Sequence, residues 1–275
     1  MRALKRKGLS ERQACRLVDC PRPTMQYKSC KKPDDAFVRD RLRCIAQERP
    51  RFGWRRLKIM LKRERIIMNH KRLRRIYREE CLQVRPRKKR RVRLVRGNWA
   101  PAPTRLNEEW GLDFMEDTLL TRRKVRIATI EDRHSREGLA VDPDFSLTSR
   151  RVIRTLDDIA AVRGYPSRLR VDNGPENCAG VMLQWSIDHN VELHFIDPGK
   201  PAQNAWIESF NGRVRDEFLN TNAFWTLAEI REAADVWLVD YNEVRPHSSL
   251  GYLTPKEFVE TLTTENKPFP QLPAA

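Results

Sequence analysis

Three carboxylates stand where a cation could be held. Asp113 lies in "WGLDFM", with apolar residues on both sides. A lone carboxylate buried there costs several kcal/mol, about 3–7 by polar-burial estimates, unless it is paired or binds a cation. Asp172 ends "SRLRVD" and runs straight into Asn173-Gly174-Pro175, the residue types that make turns. Glu208 lies in "NAWIESFNGRVRDEFL". At helical spacing Ile207, Phe210, Val214 and Phe218 form one stripe, while Glu208, Asn211, Gly212 and Arg215 share a neighbouring face about 100° away. Glu208 is thus expected at the edge of a core, where a helix side can look into a cleft. Asp113 lies fifty-nine residues before Asp172, and thirty-five residues separate Asp172 from Glu208. Gathered together, such acids would be hard oxygen ligands for a divalent ion. Taken singly, each has a plainer reading. Asp113 could pair with an arginine, Asp172 could make an Asx turn, and Glu208 could be a surface glutamate.

The elements that must position them follow from pattern. From Trp110 onward, "WGLDFMED", "KVRIATIED" and "EGLAVD" read as strands of a meander. "SLTSRRVIRTLDDIAAVRG" reads as a helix ending at Gly164, "SRLRVD" as a strand, "CAGVMLQWSIDHN" as a helix and "VELHFID" as a strand. "NAWIESFNGRVRDEFLN" and "TLAEIREAADVWLVDYNEV" are two further helices, the second opened by a capping box of Thr226 and Glu229. Strands alternating with helices predict a layered α/β domain.

The first third of the chain differs in kind. Of 275 residues with net charge +17, residues 1–98 hold 34 Lys+Arg against 9 Asp+Glu, a net of +25. The remainder holds 20 against 28, a net of −8. A basic surface of that density attracts a polyanion, nucleic acid above all. Residues 9–28 outline a helix-turn-helix. Ser10 caps its first helix, Ala14, Leu17 and Val18 line it, and Pro23 sits at the first position of its second. Residues 36–48 form another helix. Two more follow, one with the stripe Leu57, Met60 and Leu61, the other capped by Asn69 with the stripe Leu73, Ile76 and Tyr77. Their other faces are almost wholly basic, and Phe52 and Trp54 read as core packing. "RPRKKRRVRLVR" (85–96) carries eight basic residues of twelve and reads as an arm along a phosphate backbone. The expected division is a helical DNA-binding region over 1–84, a basic linker over 85–104, an α/β core over 105–265 and a tail over 266–275. Arg55, Arg56, Lys71, Arg72, Arg87, Lys88, Lys89, Arg90 and Arg91 are the candidate DNA contacts. The six cysteines fit a reduced compartment, and Cys15, Cys20 and Cys30 lack the paired short spacing of a zinc site and read as ordinary thiols. No apolar run is long enough to span a bilayer and no signal peptide opens the chain, so a cytoplasmic protein without membrane partners is expected.

The motifs "WGLDF", "VDNGPEN", "PGKPAQNAWIESFNGRVRDEFLN" and "YNEVRPHSSLGYLTP", with "LSERQACRLV" and "RFGWRRLKIMLKRERIIMNHKRLRRIYREECL" upstream, carry a resemblance over roughly residues 9 to 265. The chain resembles the second-frame protein of insertion-sequence-three family transposases, within the acidic-triad (DDE) transposase and retroviral-integrase superfamily. The resemblance implies a ribonuclease-H-like core, a mixed five-stranded sheet flanked by helices, behind an all-α helix-turn-helix-type region. It implies Asp113, Asp172 and Glu208 as catalytic metal ligands, and Arg215, seven residues after the glutamate, as a DNA contact. It implies Mg²⁺, with Mn²⁺ able to substitute, and two ions. The partners implied are DNA (terminal inverted repeats and target), further copies of the chain in a synaptic complex, and the first-frame protein. The setting implied is a bacterial nucleoid. Phosphodiester transfer agrees with that ligand set, since two Mg²⁺ about 3.5–4 Å apart can serve the attacking and the leaving oxygen. A non-catalytic DNA-binding regulator, or a degenerate copy, is the alternative reading.

The sequence departs from the family pattern in places. Arg65 stands where a glycine is usual at a helix end that favours a left-handed residue, and Pro23 and Cys20 replace small or polar residues. Asp132, in "EDRHSRE", is a candidate accessory acid, with a surface role the stronger expectation. His247 is expected to pack or to touch phosphate, and His134 and His194 to be structural.

Overall fold

The computed structural model describes residues 8–26, 33–84, 102–172, 174, 180–197 and 204–265. Arg87, Lys88, Lys89, Arg90 and Arg91, most of the basic linker and the tail lie outside the described residues.

The region from Glu109 onward is built on a five-stranded sheet: β1 (Glu109–Thr118), β2 (Lys124–Asp132), β3 (Gly138–Asp144), β4 (Arg168–Val171) and β5 (Glu192–Phe195), in the order β3-β2-β1-β4-β5. β1, β2 and β3 run antiparallel as the expected meander, and β4 and β5 run parallel to β1 and to each other. This is the mixed sheet expected of the fold. Strand alternation sorts the two faces. Trp110, Leu112, Ala128, Ile130 and Val171 pack with the helices after β3 and β4, Ser149–Arg163 and Gly180–Asp188. Met115, Val125 and Ile127 pack with Ile207, Phe210, Val214, Phe218 and Tyr241 of the last long helices. Gly111 is on this second face, and a Cβ there would lie 2.3 Å from the Trp206 ring. Only a glycine lets that indole lie against the strand.

In chain order the helices are α1 (Glu11–Leu17), α2 (Arg22–Gln26), α3 (Asp35–Glu48), α4 (Trp54–Arg63), α5 (His70–Glu79), α6 (Ser149–Arg163), α7 (Gly180–Asp188), α8 (Ala205–Arg213), α9 (Leu227–Glu243) and α10 (Pro255–Glu265). Ser10, Asn69 and Thr226 cap their helices as expected. Arg65 adopts φ +63, the left-handed conformation that its position demands. Leu57, Leu61, Leu73, Ile76 and Tyr77 make one core with Val38, Leu42, Ile45 and Phe52.

Three expectations are corrected. In α1, Ala14 and Cys15 are buried while Leu17 and Val18 are largely exposed. Glu11 binds Arg22 and Gln26 of α2, and α1 sits with its other edge inward. Pro23 is the second residue of α2, still within the first turn, where N–H groups have no intrahelical partner. The helix through Glu208 is α-helical only to Arg213. Val214–Phe218 form a π-helical turn, which keeps Val214 and Phe218 in the core while Glu217 reaches Arg245. Such turns recur at functional sites.

Arginines join the helical region to the core. Arg49 holds Asp240 through two bonds, Arg56 lies 3.2 Å from Glu217, and Arg63 binds Glu257 and the Val244 carbonyl, both at 2.7 Å. Part of the basic third therefore serves the protein itself. Among the described residues no helix is long and apolar enough to cross a membrane.

Candidate active site

Asp113 is half-buried on the α8 face of β1, opposite Thr129 of β2. Its Oδ1 accepts the Phe114 N–H at 2.9 Å and its Oδ2 accepts the Asn211 amide at 2.8 Å. Thr129 Oγ1 donates to Asn211 Oδ1 at 2.6 Å, which fixes which end of that amide faces the acid. Asn211 lies one turn beyond Glu208 on α8, so the latch ties Glu208's helix to Asp113's strand. The partners of Asp113 are thus a backbone N–H and a neutral amide rather than an arginine.

Asp172 follows β4 directly and is half-buried. β4 runs parallel to β1 with Trp110 beside Leu169 and Gly111 beside Arg170. Continued for two residues, that register sets Asp172 beside Asp113; the fifty-nine-residue spacing is the register offset itself. Asp172 Oδ1 also accepts the Gly174 N–H at 3.0 Å, so the Asx-turn reading holds as well. Glu208 is exposed and borders a cleft of about 390 Å³ with Arg51, Arg56 and Arg213.

Electrostatics connects the three. Burial pushes the Asp113 carboxyl up to about 6, and the charges of Asp172 and Glu208 push in the same direction. Such a group is short of positive charge, and a cation among these oxygens would reverse the shift. Among the described residues, however, no group of three His, Cys, Asp or Glu side chains is gathered closely enough to hold a metal ion.

Nearby acids behave otherwise. Asp132 is wholly buried, which overturns the expected surface role. It accepts N–H groups from Asn107, His134 and Ser135 at 2.8–2.9 Å and so builds the turn after β2. Glu131, equally buried, meets the Tyr241 hydroxyl at 3.2 Å, and burial pushes it up to about 8. His247 is buried against Tyr241, with burial and Arg245 holding it neutral down to about 3, so it packs.

The predicted DNA contacts fall in several places. Arg215 donates to the Glu116 carbonyl at 2.5 Å, near the far end of β1. Arg55 and Lys71 are exposed. Arg56 is held against Glu217, and burial followed by the like charges of Arg245 and Arg213 brings it down to about 10. Arg72 binds Asp34 and Asp35. The Asn211–Thr129 latch was missed by sequence reasoning; its only signal was Asn211 on the same helix face as Glu208.

Known families place the whole arrangement. Residues 103–201 and 189–255 match two models described as Integrase core domain, and residues 32–90 match an HTH-like domain. The chain is 42% identical over 259 residues to the insertion element IS407 uncharacterized 31.7 kDa protein of Burkholderia multivorans, covering 94% of each. It is 38% identical over 264 residues to the insertion element IS476 uncharacterized 39.2 kDa protein of Xanthomonas euvesicatoria, covering 96% of this chain and 76% of that one. Solved integrase cores align at lower likeness. The trimeric form of the HTLV-2 integrase catalytic core domain in complex with magnesium gives 16% identity and a TM-score of 0.46 over 59% of this chain and 99% of that one. With an HTH-like region ahead of an integrase core and insertion-element relatives along nearly its whole length, the chain belongs to the insertion-sequence transposases of the DDE transposase and integrase superfamily.

Proposed function

We propose that the chain cleaves one DNA strand at each end of its element and joins the freed 3′-hydroxyl to a phosphate of the target. The observation that carries this reading is Asp113, held half-buried by neutral donors and pushed up to about 6 by burial and by the charges of Asp172 and Glu208. Hard carboxylate oxygens fit Mg²⁺ or Mn²⁺, and Asp113, Asp172 and Glu208 would hold two such ions. When bound, the ions supply charge neutralisation at the phosphate and activation of the attacking oxygen.

The rest is the work of the chain's own groups. Asn211 orients the Asp113 carboxylate, and Thr129 orients Asn211. Trp206 lies against Gly111 on the sheet face that carries Asp113. Arg215 would meet the DNA strand near the site. The helical region would hold the terminal inverted repeats. Copies of the chain would associate in a synaptic complex, with the first-frame protein as a further partner.

A non-catalytic DNA-binding regulator is the second reading. It is favoured by one observation, the absence among the described residues of three gathered metal-binding side chains. Incubating the full chain with DNA bearing the element's ends, with Mg²⁺ or Mn²⁺, separates the two. Wild type cuts and joins, while Asp172→Asn and Glu208→Gln do neither. Binding without metal-dependent cleavage in any version favours the regulator, and full activity in both variants sinks the triad.

A further inference from the structure

The cations of α4 and α5 fall into two sets that alternate along the sequence. Arg56 pairs with Glu217, Arg72 with Asp34 and Asp35, and Arg75 with Asp35 and Glu79. Their immediate neighbours Arg55, Lys71 and Arg74 are exposed, and none of the three joins an ion pair among the described residues. Adjacent helical residues point about 100° apart, so one turn can serve the interior with one cation and the solvent with the next.

Two of the second set gather at one ring, and Lys71 follows directly on a third neighbour of that ring, His70. The Arg55 guanidinium lies 4.8 Å from the centre of the Trp54 ring and that of Arg74 lies 6.0 Å from it. His70 stacks on the same indole with ring centres 6.4 Å apart. Trp54 opens α4 and His70 opens α5, so the starts of both helices meet here, and neither has an acidic residue in its first turn. The positive ends of two helix dipoles therefore add to the cations, with no carboxylate in either first turn to cancel them. A guanidinium resting on an aromatic face is already partly ordered and weakly hydrated. It gives up less freedom and less hydration when it meets a phosphate.

We infer that Trp54, Arg55, His70, Lys71 and Arg74 form a backbone-phosphate contact patch for duplex DNA, and that Arg56 and Arg72 take no part in it. Arg56 and Arg72 instead hold the helical region to the core and to itself. Phosphate contacts carry no sequence information, so the contribution expected of the patch is independent of sequence. The inference rests on DNA being the substrate, and a binding measurement without divalent metal separates its failure from a failure of the catalytic site.

The test uses the full chain and a short fluorescent duplex lacking any element sequence, with binding followed by anisotropy across a salt series in the presence of a chelator. Each phosphate contact contributes about 0.9 to the slope of log affinity against log salt. The double variant Arg55→Gln, Arg74→Gln loses about 1.8 of that slope at the same melting temperature as wild type. Arg56→Gln and Arg72→Gln keep the wild-type slope and melt at lower temperature. The inference is overturned if the double variant keeps the wild-type slope and affinity, or if Arg56→Gln or Arg72→Gln lowers the slope as much. It is equally overturned if the wild-type chain binds no duplex at low salt.

Discussion

Two acids on β1, four residues apart, live in opposite surroundings. Glu109 is fully buried and meets two arginines, Arg170 at 2.5 Å and Arg133 at 2.7 Å. Burial alone would raise it, but those bonds win and hold it below the ordinary glutamate range. Asp113 is less buried, has no arginine, and is raised toward 6 by burial and by two other carboxylates. An acid that serves the fold is given its counter-charge by the fold. An acid left among other acids has no counter-charge from the fold. Asp132, ringed by N–H groups, belongs with Glu109.

The largest way to break this contrast is Glu109→Gln. It leaves Arg170, almost fully buried, without its counter-charge, and the expected loss is about 3–5 kcal/mol of unfolding free energy in denaturant titrations. Asp113→Asn, measured without divalent metal, is expected to be as stable as wild type or more so. Equal destabilisation by both would erase the distinction.

Next is Asn211→Ala. It removes the amide from the Asp113 carboxylate, which keeps the Phe114 N–H, and leaves the Thr129 hydroxyl with the Asp113 carbonyl alone. Single-turnover strand cleavage should slow about 10²-fold, the usual effect of a small misplacement, while duplex binding is unchanged.

Asp132→Asn has a smaller effect. The turn after β2 loses one acceptor for an N–H, at about 1–3 kcal/mol. Strand cleavage at saturating DNA should stay near wild type, whereas an accessory catalytic acid would lose it.

The pH dependence is the mildest probe. Glu131 at about 8 and Asp113 at about 6 lie above their ordinary values of 4.5 and 3.8. Between those limits the folded chain holds more protons than the unfolded one, so stability falls as pH rises. Glu109 works the other way, its contribution present above its ordinary range and lost as pH falls through its lowered value. From pH 6 to 8, Glu131 should lower metal-free stability by at most about 1.4 kcal/mol per pH unit, and Glu131→Gln should flatten that slope.

Much of the molecule could be read from the sequence, and the omissions share a cause. Alternation and helical stripes gave the strands and helices of the core, because burial of one face writes itself into a period of two or 3.6. The interval from Asp113 to Asp172 was visible too, and it is a strand register. What escaped depended on contacts between distant segments. Arg55 and Arg56 look alike until Glu217 is known to stand beside only one of them. Asn211 shares a face with Glu208 in any helix, but its bond to Asp113 needs the sheet beneath it. Asp132 was misread as a surface acid because its three closest partners are backbone N–H groups, which carry no side-chain signature, and its ion-pair partner Arg163 lies thirty-one residues away in the chain. The π-helical turn after Arg213 keeps the apolar stripe intact, so the pattern of types could not report it.

The most direct test is strand cleavage of a duplex carrying the element's ends in Mn²⁺, with binding of the same duplex measured in parallel. Asp113→Asn, Asp172→Asn and Glu208→Gln should each bind as wild type does and cut at least about 10³-fold more slowly, since metal stabilisation is worth several kcal/mol. Cutting at the wild-type rate by any one of the three would contradict the assignment of these acids as the catalytic set.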